Sequence, residues 1–315
     1  MRVVFCGSGR FAVPSLRAIA ASSHEVVGII TQPARPAGRG KHARPTPVFQ
    51  AAAEMGQAAL ECPDINAPAA LEQVRAMRPD VIAVADFGQL VRKAVRTLPS
   101  AGALNLHGSL LPALRGAAPV NWAIIRGLPQ TGVTTFALVA KMDAGDIHLQ
   151  APTDIGPEET AQELRARLAE LGAPLVVQTL DLLAAGDARP HPQDDSQATL
   201  APVLTKADGK LDWTAEARTI RNLIHGTWPW PGGQSVFVHK NGRQYPVILA
   251  RAKVLKGAAH GEPGVLDAEG AVATGEGRLG ILEIQPAGRR LMTWLDFVNG
   301  YRAAEGDRFV STANG

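Results

Sequence analysis

Short apolar runs spaced by helix-length stretches decide what this chain can fold into. Arg2–Cys6, Val26–Thr31, Asp80–Ala85 and Ala103–Leu106 read as strands without polar alternation. Such strands are buried on both faces, as in a parallel sheet covered by helices. The last run carries the most information. It follows the turn signal Pro99-Ser100-Ala101-Gly102 and continues through Asn105, His107 and Gly108 to Ser109-Leu110-Leu111-Pro112. Asn105 and His107 are two apart, so in an extended chain they leave on one face. Gly108 and Pro112 then end the strand. A polar pair at the carboxyl end of a buried strand is where open α/β sheets place their chemistry. Taken alone, an Asn-x-His pair is more often a loop cap beside a satisfied histidine. The longer sequence shifts that balance.

The N-terminus opens as strand, turn and helix: Arg2–Cys6, Gly7-Ser8-Gly9, a helix from Phe11 or Pro14, then Val26–Thr31. Gly7-x-Gly9-x-x-Ala12 imitates a dinucleotide fingerprint, but the second strand ends in Thr31-Gln32-Pro33 with no acid for a ribose. The glycines are better read as a tight turn beside an active site. Pro33–Pro47 is rich in Pro, Gly and Arg without periodicity and reads as an exposed, mobile loop. Thr46 and Pro47 open a helix through Met55. Further helices are expected over Ala67–Met77, Phe87–Leu98, Ala117–Ile125 and Glu158–Leu183, with β segments at Thr131–Leu138 and Ile147–Thr153.

Residues 184–199 read as a linker, and from Trp213 the character changes. A short helix near Ala215–Ile224 precedes Trp228-Pro229-Trp230-Pro231 and then short strands with frequent glycine turns. That pattern suggests a small β-barrel of the oligonucleotide/oligosaccharide-binding (OB) type. The expected fold is α/β: a Rossmann-like, mostly parallel sheet over residues 1–185, a linker over 186–207 and an OB-like β-barrel over 208–315.

The totals set outer bounds. A chain of 315 residues can build two cores, and 46% hydrophobic with 19% charged residues is a globular composition. Cys6 and Cys62 are too few for a disulfide framework and lack metal-ligand spacing. With a strand starting at Arg2 and no apolar run of about 20 residues, a cytoplasmic protein without signal peptide or membrane span is expected. The net charge of +3 sits entirely in residues 206–315, which carry 14 Lys+Arg against 11 Asp+Glu. A second asymmetry is local. Val26–Ala53 holds no acid but holds Arg35, Arg39, Lys41 and Arg44, an arrangement able to attract phosphates.

Several separated motifs now occur together in one order. Asn105–Pro112 resembles the Asn-x-His-x-Ser-Leu-Leu-Pro segment of the formyltransferases that use 10-formyltetrahydrofolate, and Asp143-Ala144-Gly145-Asp146 resembles their downstream aspartate loop. Thr31–Lys41, Arg115-Gly116-Ala117-Ala118-Pro119, Thr131–Thr134, Trp228–Pro231 and Gln285–Gly288 extend the similarity from end to end. The resemblance implies that Asn105, His107 and Asp143 are the catalytic trio and that Ser109, Leu110, Leu111 and Pro112 line the folate site, walled by Val84–Leu90. It implies 10-formyltetrahydrofolate as formyl donor, no metal and no covalent enzyme intermediate. The acceptor it implies is the amino group of methionine-charged initiator tRNA, with Arg35, Arg39, Lys41 and Arg44 as tRNA contacts and Arg39 foremost. A monomer with no DNA and no membrane partner is expected. Arg10, Asp86-Phe87-Gly88 and Ala113-Leu114 depart from the usual pattern, and Asp86 is left without a role.

The chemistry suits those residue types. Formyl transfer is attack by an amine on a formamide-type carbonyl, so a tetrahedral oxyanion must be stabilised and a proton moved. A fixed neutral amide such as Asn105 can donate to the oxyanion. A histidine can donate to the intermediate or relay a proton. A carboxylate such as Asp143 can fix the ring's tautomer or accept the amine's proton through a water. On spacing alone Asp143 is equally a turn former before Gly145. A formyltransferase acting on an amino sugar nucleotide, or a hydrolase releasing formate from the same folate, would share the trio. The basic loop and the C-terminal charge are what favour tRNA.

Overall fold

The computed structural model describes residues 1–37, 42–258 and 261–312. It forms two compact units, one of Met1–Ala117, Thr131–Thr153 and Arg165–Ala201, the other of Ala118–Gln130, Asp154–Leu164 and Pro202–Gly315. In chain order the elements up to the long helix are β1 (Arg2–Gly7), α1 (Val13–Ala20), β2 (Glu25–Thr31), β3 (Arg35–Ala37), β4 (His42–Arg44), α2 (Pro47–Glu54), β5 (Ala59–Glu61), α3 (Pro68–Ala76), β6 (Val81–Ala85), α4 (Lys93–Arg96), β7 (Ala103–His107), α5 (Pro119–Ile125), β8 (Gln130–Ala137), β9 (Ile147–Asp154) and α6 (Ala161–Ala185).

The first unit is built on a seven-stranded sheet in the order β5-β2-β1-β6-β7-β8-β9. The first five strands run parallel, and β8 returns antiparallel to β7. The apolar runs explain it: Val3, Val4, Phe5 and Cys6 of β1 and all of β6 are buried, as strands covered on both faces must be. The direction of the chain reverses beside β1, which puts the ends of β1, β6 and β7 at one edge of the sheet. Thr46 caps α2 as its sequence position requires, accepting from Phe49 N at 3.1 Å.

Two stretches differ from the expectation. Phe87–Leu98 is helical only over Lys93–Arg96. Asp86 and Gly88 take positive φ (45° and 72°), and Gln89 bonds out to Ile65 N and Cys62 O, so tertiary hydrogen bonds override helical spacing there. The Pro33–Pro47 stretch contains an antiparallel ribbon, β3 with β4, in which Arg35 faces Arg44.

Helix α6 is long and apolar enough to cross a membrane by length and composition. Glu170 and Asp181 interrupt its apolar stretch, and Leu168, Val176 and Leu180 are buried in the protein, the use of a core helix. It crosses close to β7: a Cβ on Gly172 would sit 2.6 Å from Leu106 Cδ2, so only glycine permits that approach.

The second unit continues with α7 (Ala217–Thr227), β10 (Gly233–Val238), β11 (Gln244–Leu255), β12 (Val272–Ala273), β13 (Arg278–Pro286), β14 (Met292–Thr293), α8 (Trp294–Tyr301) and β15 (Arg308–Val310). Its antiparallel sheet runs β12-β13-β11-β10-β15. Residues 264–266 bond on one side to Ala273 and on the other to Asp307 and Phe309, so the sheet nearly closes into a barrel. Trp213, Phe237, Phe297 and Phe309 fill it, with Trp213 and Phe309 stacked at 5.2 Å. Helix α8 and strand β15 had no clear signal in the sequence; α8 is short, and Thr293 caps it from a strand.

Candidate active site

β7 carries Asn105 and His107 to the carboxyl edge of the sheet, between β6 and β8. Asn105 is half-buried, and its amide makes no side-chain hydrogen bond among the described residues. His107 is 6% exposed, edge-on to Phe136 with ring centroids 6.3 Å apart. Its Nε2 lies 3.0 Å from the Leu114 carbonyl. A carbonyl can only accept, so Nε2 carries the proton and donates. The free nitrogen, Nδ1, faces Asp143 Oδ2 at 3.9 Å, too far for a hydrogen bond but within ion-pair range. The ring's tautomer is therefore set by Leu114, a backbone group, instead of by the carboxylate as the sequence suggested.

One loop aims both side chains. Leu114, at φ 60°, turns its carbonyl to His107, and two residues on Gly116 N donates to Asp143 Oδ2 at 2.8 Å. Gly116 has φ 127°, and a Cβ there would meet the Ala201 carbonyl at 2.5 Å. Asp143 itself sits at φ 50°, a left-handed conformation that aspartate tolerates better than most residues. The loop is clamped from outside. Arg115 is buried and donates to Gln193 Oε1 and Asp195 Oδ1, while Leu114 N and Arg115 N bond to Thr199. Gln193 Nε2 in turn donates to the carbonyls of Asp143 (2.9 Å) and Gly145 (2.7 Å). Lys141 and Arg115 hold the Asp195 carboxyl below the usual carboxylate range. Sequence reasoning assigned no positioning role to Leu114, Gly116 or Gln193. The turn Arg115-Gly116 was a usable signal, whereas nothing in the polar stretch around Gln193 marks it out.

The segment 109–112 divides by face. Ser109 is buried and donates to the Ala113 carbonyl at 2.6 Å, and Leu111 is buried against Phe136 and Ile147. Thr134 ties this segment to β8, donating to Ser109 O and accepting from Leu111 N. Leu110 and Pro112 are half-buried and have surface to offer. Leu90 and Met142, on the two flanking loops, are exposed apolar side chains. Asp86 turns out to close the Gly7-Ser8-Gly9 turn: its carbonyl accepts from Ser8 N and Gly9 N at 3.1 Å, and its carboxylate pairs with Arg165 at 2.8 Å. A Cβ on Gly9 would lie 1.8 Å from that carboxylate. Arg10 is exposed.

Of the four candidate tRNA contacts, Arg35 and Arg44 are exposed and directly opposite one another in the ribbon. Arg39 and Lys41 lie outside the described residues.

Residues 1–180 match the Formyl transferase family, and residues 203–302 match its C-terminal domain. The fold agrees at the level of solved structures. HypX from Aquifex aeolicus superposes with a TM-score of 0.65 at 18% identity, over 100% of this chain and 51% of that one. An N-formyltransferase from Helicobacter canadensis gives 0.65 at 12% identity, over 91% and 99%. Fold and matches together define the class, a two-part formyl transferase. Over 310 residues, 98% of each chain, the sequence is 42% identical to the methionyl-tRNA formyltransferase of Solibacter usitatus. The chain belongs to the methionyl-tRNA formyltransferase family.

Proposed function

We infer that this protein transfers the formyl group of 10-formyltetrahydrofolate to the free amino group of methionyl-initiator tRNA. The observation that carries this reading is geometric: one loop orients both His107 and Asp143 beside an Asn105 amide that has no side-chain partner among the described residues. An unpartnered half-buried amide is a donor waiting for an acceptor, and the oxyanion formed as the amine adds to the formyl carbon supplies one. His107 Nδ1, bare in the neutral ring, accepts the proton that the attacking nitrogen sheds. Asp143, 3.9 Å away, stabilises the resulting imidazolium. The N-formyl C–N bond of the donor then breaks, and that proton returns to the departing nitrogen.

Leu110, Pro112, Leu90 and Met142 provide half-buried or exposed apolar surface suited to the flat, largely apolar face of a folate. Arg35 and Arg44, with Arg39 and Lys41 between them in sequence, are read as contacts to the acceptor stem. Residues 1–185 are read as the catalytic domain and 208–315 as the tRNA-binding domain, a division supported by the extents of the two family matches. A substrate made for translation initiation puts the activity in the cytoplasm. The test is direct: incubate the protein with 10-formyltetrahydrofolate and either charged initiator tRNA or small amines, including an amino sugar nucleotide. Formylmethionyl-tRNA is the expected product; formylation of the small amine alone, or release of formate, would replace this reading.

A further inference from the structure

The second unit contains a cavity of about 350 Å³ that the chemistry above does not use. One face of α7 lines it. Arg218, Arg221, Asn222 and His225 fall at i, i+3, i+4 and i+7, the spacing that stacks side chains on one side of a helix. Ile220 and Ile224, on the other side, are buried in the barrel core. The opposite wall is aliphatic and includes Leu128 and Ile155.

Among the described residues neither arginine of this face forms an ion pair, although the Glu158 charge reaches Arg221. Arg218 is exposed and makes no hydrogen bond or ion pair among the described residues. Arg221 is half-buried and donates to Asn222 Oδ1 (3.0 Å) and the Pro157 carbonyl (2.7 Å), both neutral acceptors. Burial, and then the charge of Arg218, pushes the Arg221 guanidinium below its ordinary range. His225 is 1% exposed, and its Nε2 lies 3.0 Å from Ala252 N. A backbone N–H can only donate, so Nε2 is the acceptor and the neutral ring carries its proton on Nδ1. That Nδ1–H has no partner among the described residues, on a side chain that lines the cavity. Among the lining residues two arginines stand against one carboxylate, Glu159, which accepts from Gly156 N.

We propose that this cavity binds one nucleotide, its phosphate held by Arg218 and Arg221, a ribose or base oxygen accepting from His225 Nδ1–H, and the base lying on the aliphatic wall. The volume suits a ligand of that size, and arginine pairs favour phosphate geometry. The choice of a nucleotide over other organic phosphates rests on the reading of the substrate as RNA. The source is either a free mononucleotide or a nucleotide of the RNA chain.

The test is calorimetric titration of the full-length protein with adenosine 5′-monophosphate, with inorganic phosphate, and with adenosine monophosphate in the presence of an uncharged tRNA transcript. Saturable binding of the monophosphate is expected, weakened about tenfold in Arg218→Ala and further in Arg218→Glu, with the melting temperature unchanged because Arg218 makes no structural bond. Displacement by the transcript assigns the site to the RNA; binding without displacement assigns it to the free nucleotide. No saturable binding of the monophosphate, or equal binding by wild type and both variants, overturns the proposal. None of these measurements requires formyl transfer, so they stand apart from the activity assay.

Discussion

Each unit buries a histidine against a backbone group, and the two are set up in opposite senses. His107 Nε2–H donates a hydrogen bond to the Leu114 carbonyl, and the ring's other nitrogen faces a carboxylate. His225 Nε2 accepts a hydrogen bond from Ala252 N–H, and burial acts on the ring most, followed by the Arg221 and Arg251 guanidiniums. The groups that face His107 are acceptors, a carbonyl on one ring nitrogen and a carboxylate near the other. Burial, and then the two guanidiniums, push the His225 pKa down to about 4 and keep the ring neutral. The same side chain thus faces acceptors in one unit and, in the other, is held neutral by burial together with a backbone donor and two cations.

The largest expected effect breaks the first half of that comparison. Asn105→Ala and His107→Ala should each lower kcat by about 10²–10³, or roughly 3–4 kcal/mol, the usual loss for a transition-state donor. Folate binding should persist, since neither residue is expected to hold the ground state. Retention of more than about a tenth of wild-type kcat by either variant would remove it from the trio.

Asp143→Asn sharpens the same contrast, because the amide oxygen can still accept from Gly116 N while the charge is gone. Turnover should fall about as far as for His107→Ala. In the double variant the two losses should not add, because residues acting as a unit are strongly non-additive. Full additivity would show that Asp143 and His107 work separately.

The second half is tested by pH. His225 has a folded pKa near 4 against an ordinary 6.5. Between those values the unfolded chain binds a proton here that the folded chain refuses, so stability falls as pH falls. The penalty is absent above about pH 6.5 and complete below about pH 4, on the order of 3 kcal/mol in all. Urea unfolding at pH 7 and pH 4.5 should show most of that loss, superimposed on the carboxylate contributions. His225→Gln, whose side-chain oxygen can still accept from Ala252 N, should have a visibly flatter profile. Parallel profiles would mean the histidine is not the titrating group.

Neither environment was legible from the residue itself. The strands of the first unit could be read because an apolar run without alternation has few other uses. Asn105 and His107 could be placed on one face for the same reason. What could not be read is the loop that serves them. Leu114 acts through a carbonyl and Gly116 through an N–H, and backbone groups leave no mark in a side-chain pattern. Gln193 acts on Asp143 and Gly145 from 50 and 48 positions away, inside a stretch that looks like any polar linker. Helical spacing misled over Phe87–Leu98 because Gln89 and Asn66 bind that segment to its neighbours in space. His225 had helical spacing to Arg218 and Arg221 in plain view, but the donor from Ala252 is a partner that only the barrel brings.

The smallest expected effect concerns a third arrangement of charge, the ribbon of β3 and β4, where two arginines face each other and neither forms an ion pair among the described residues. Arg35 and Arg44 are directly opposite across an antiparallel pair, and like charges so placed cost a few tenths of a kcal/mol or more. An RNA phosphate between or beside them would turn that cost into attraction. Each is expected to contribute about 1 kcal/mol to binding charged tRNA, the scale of an exposed ion pair. The more telling readout is salt. Replacing either arginine by alanine should lower the slope of log K against log salt by about one, because one fewer counterion is released. Folate affinity and the kcat at saturating tRNA should stay put, separating this ribbon from the Asn105–His107–Asp143 chemistry. A double Arg35→Ala/Arg44→Ala variant with an unchanged salt slope and unchanged KM for tRNA would take the ribbon out of substrate binding.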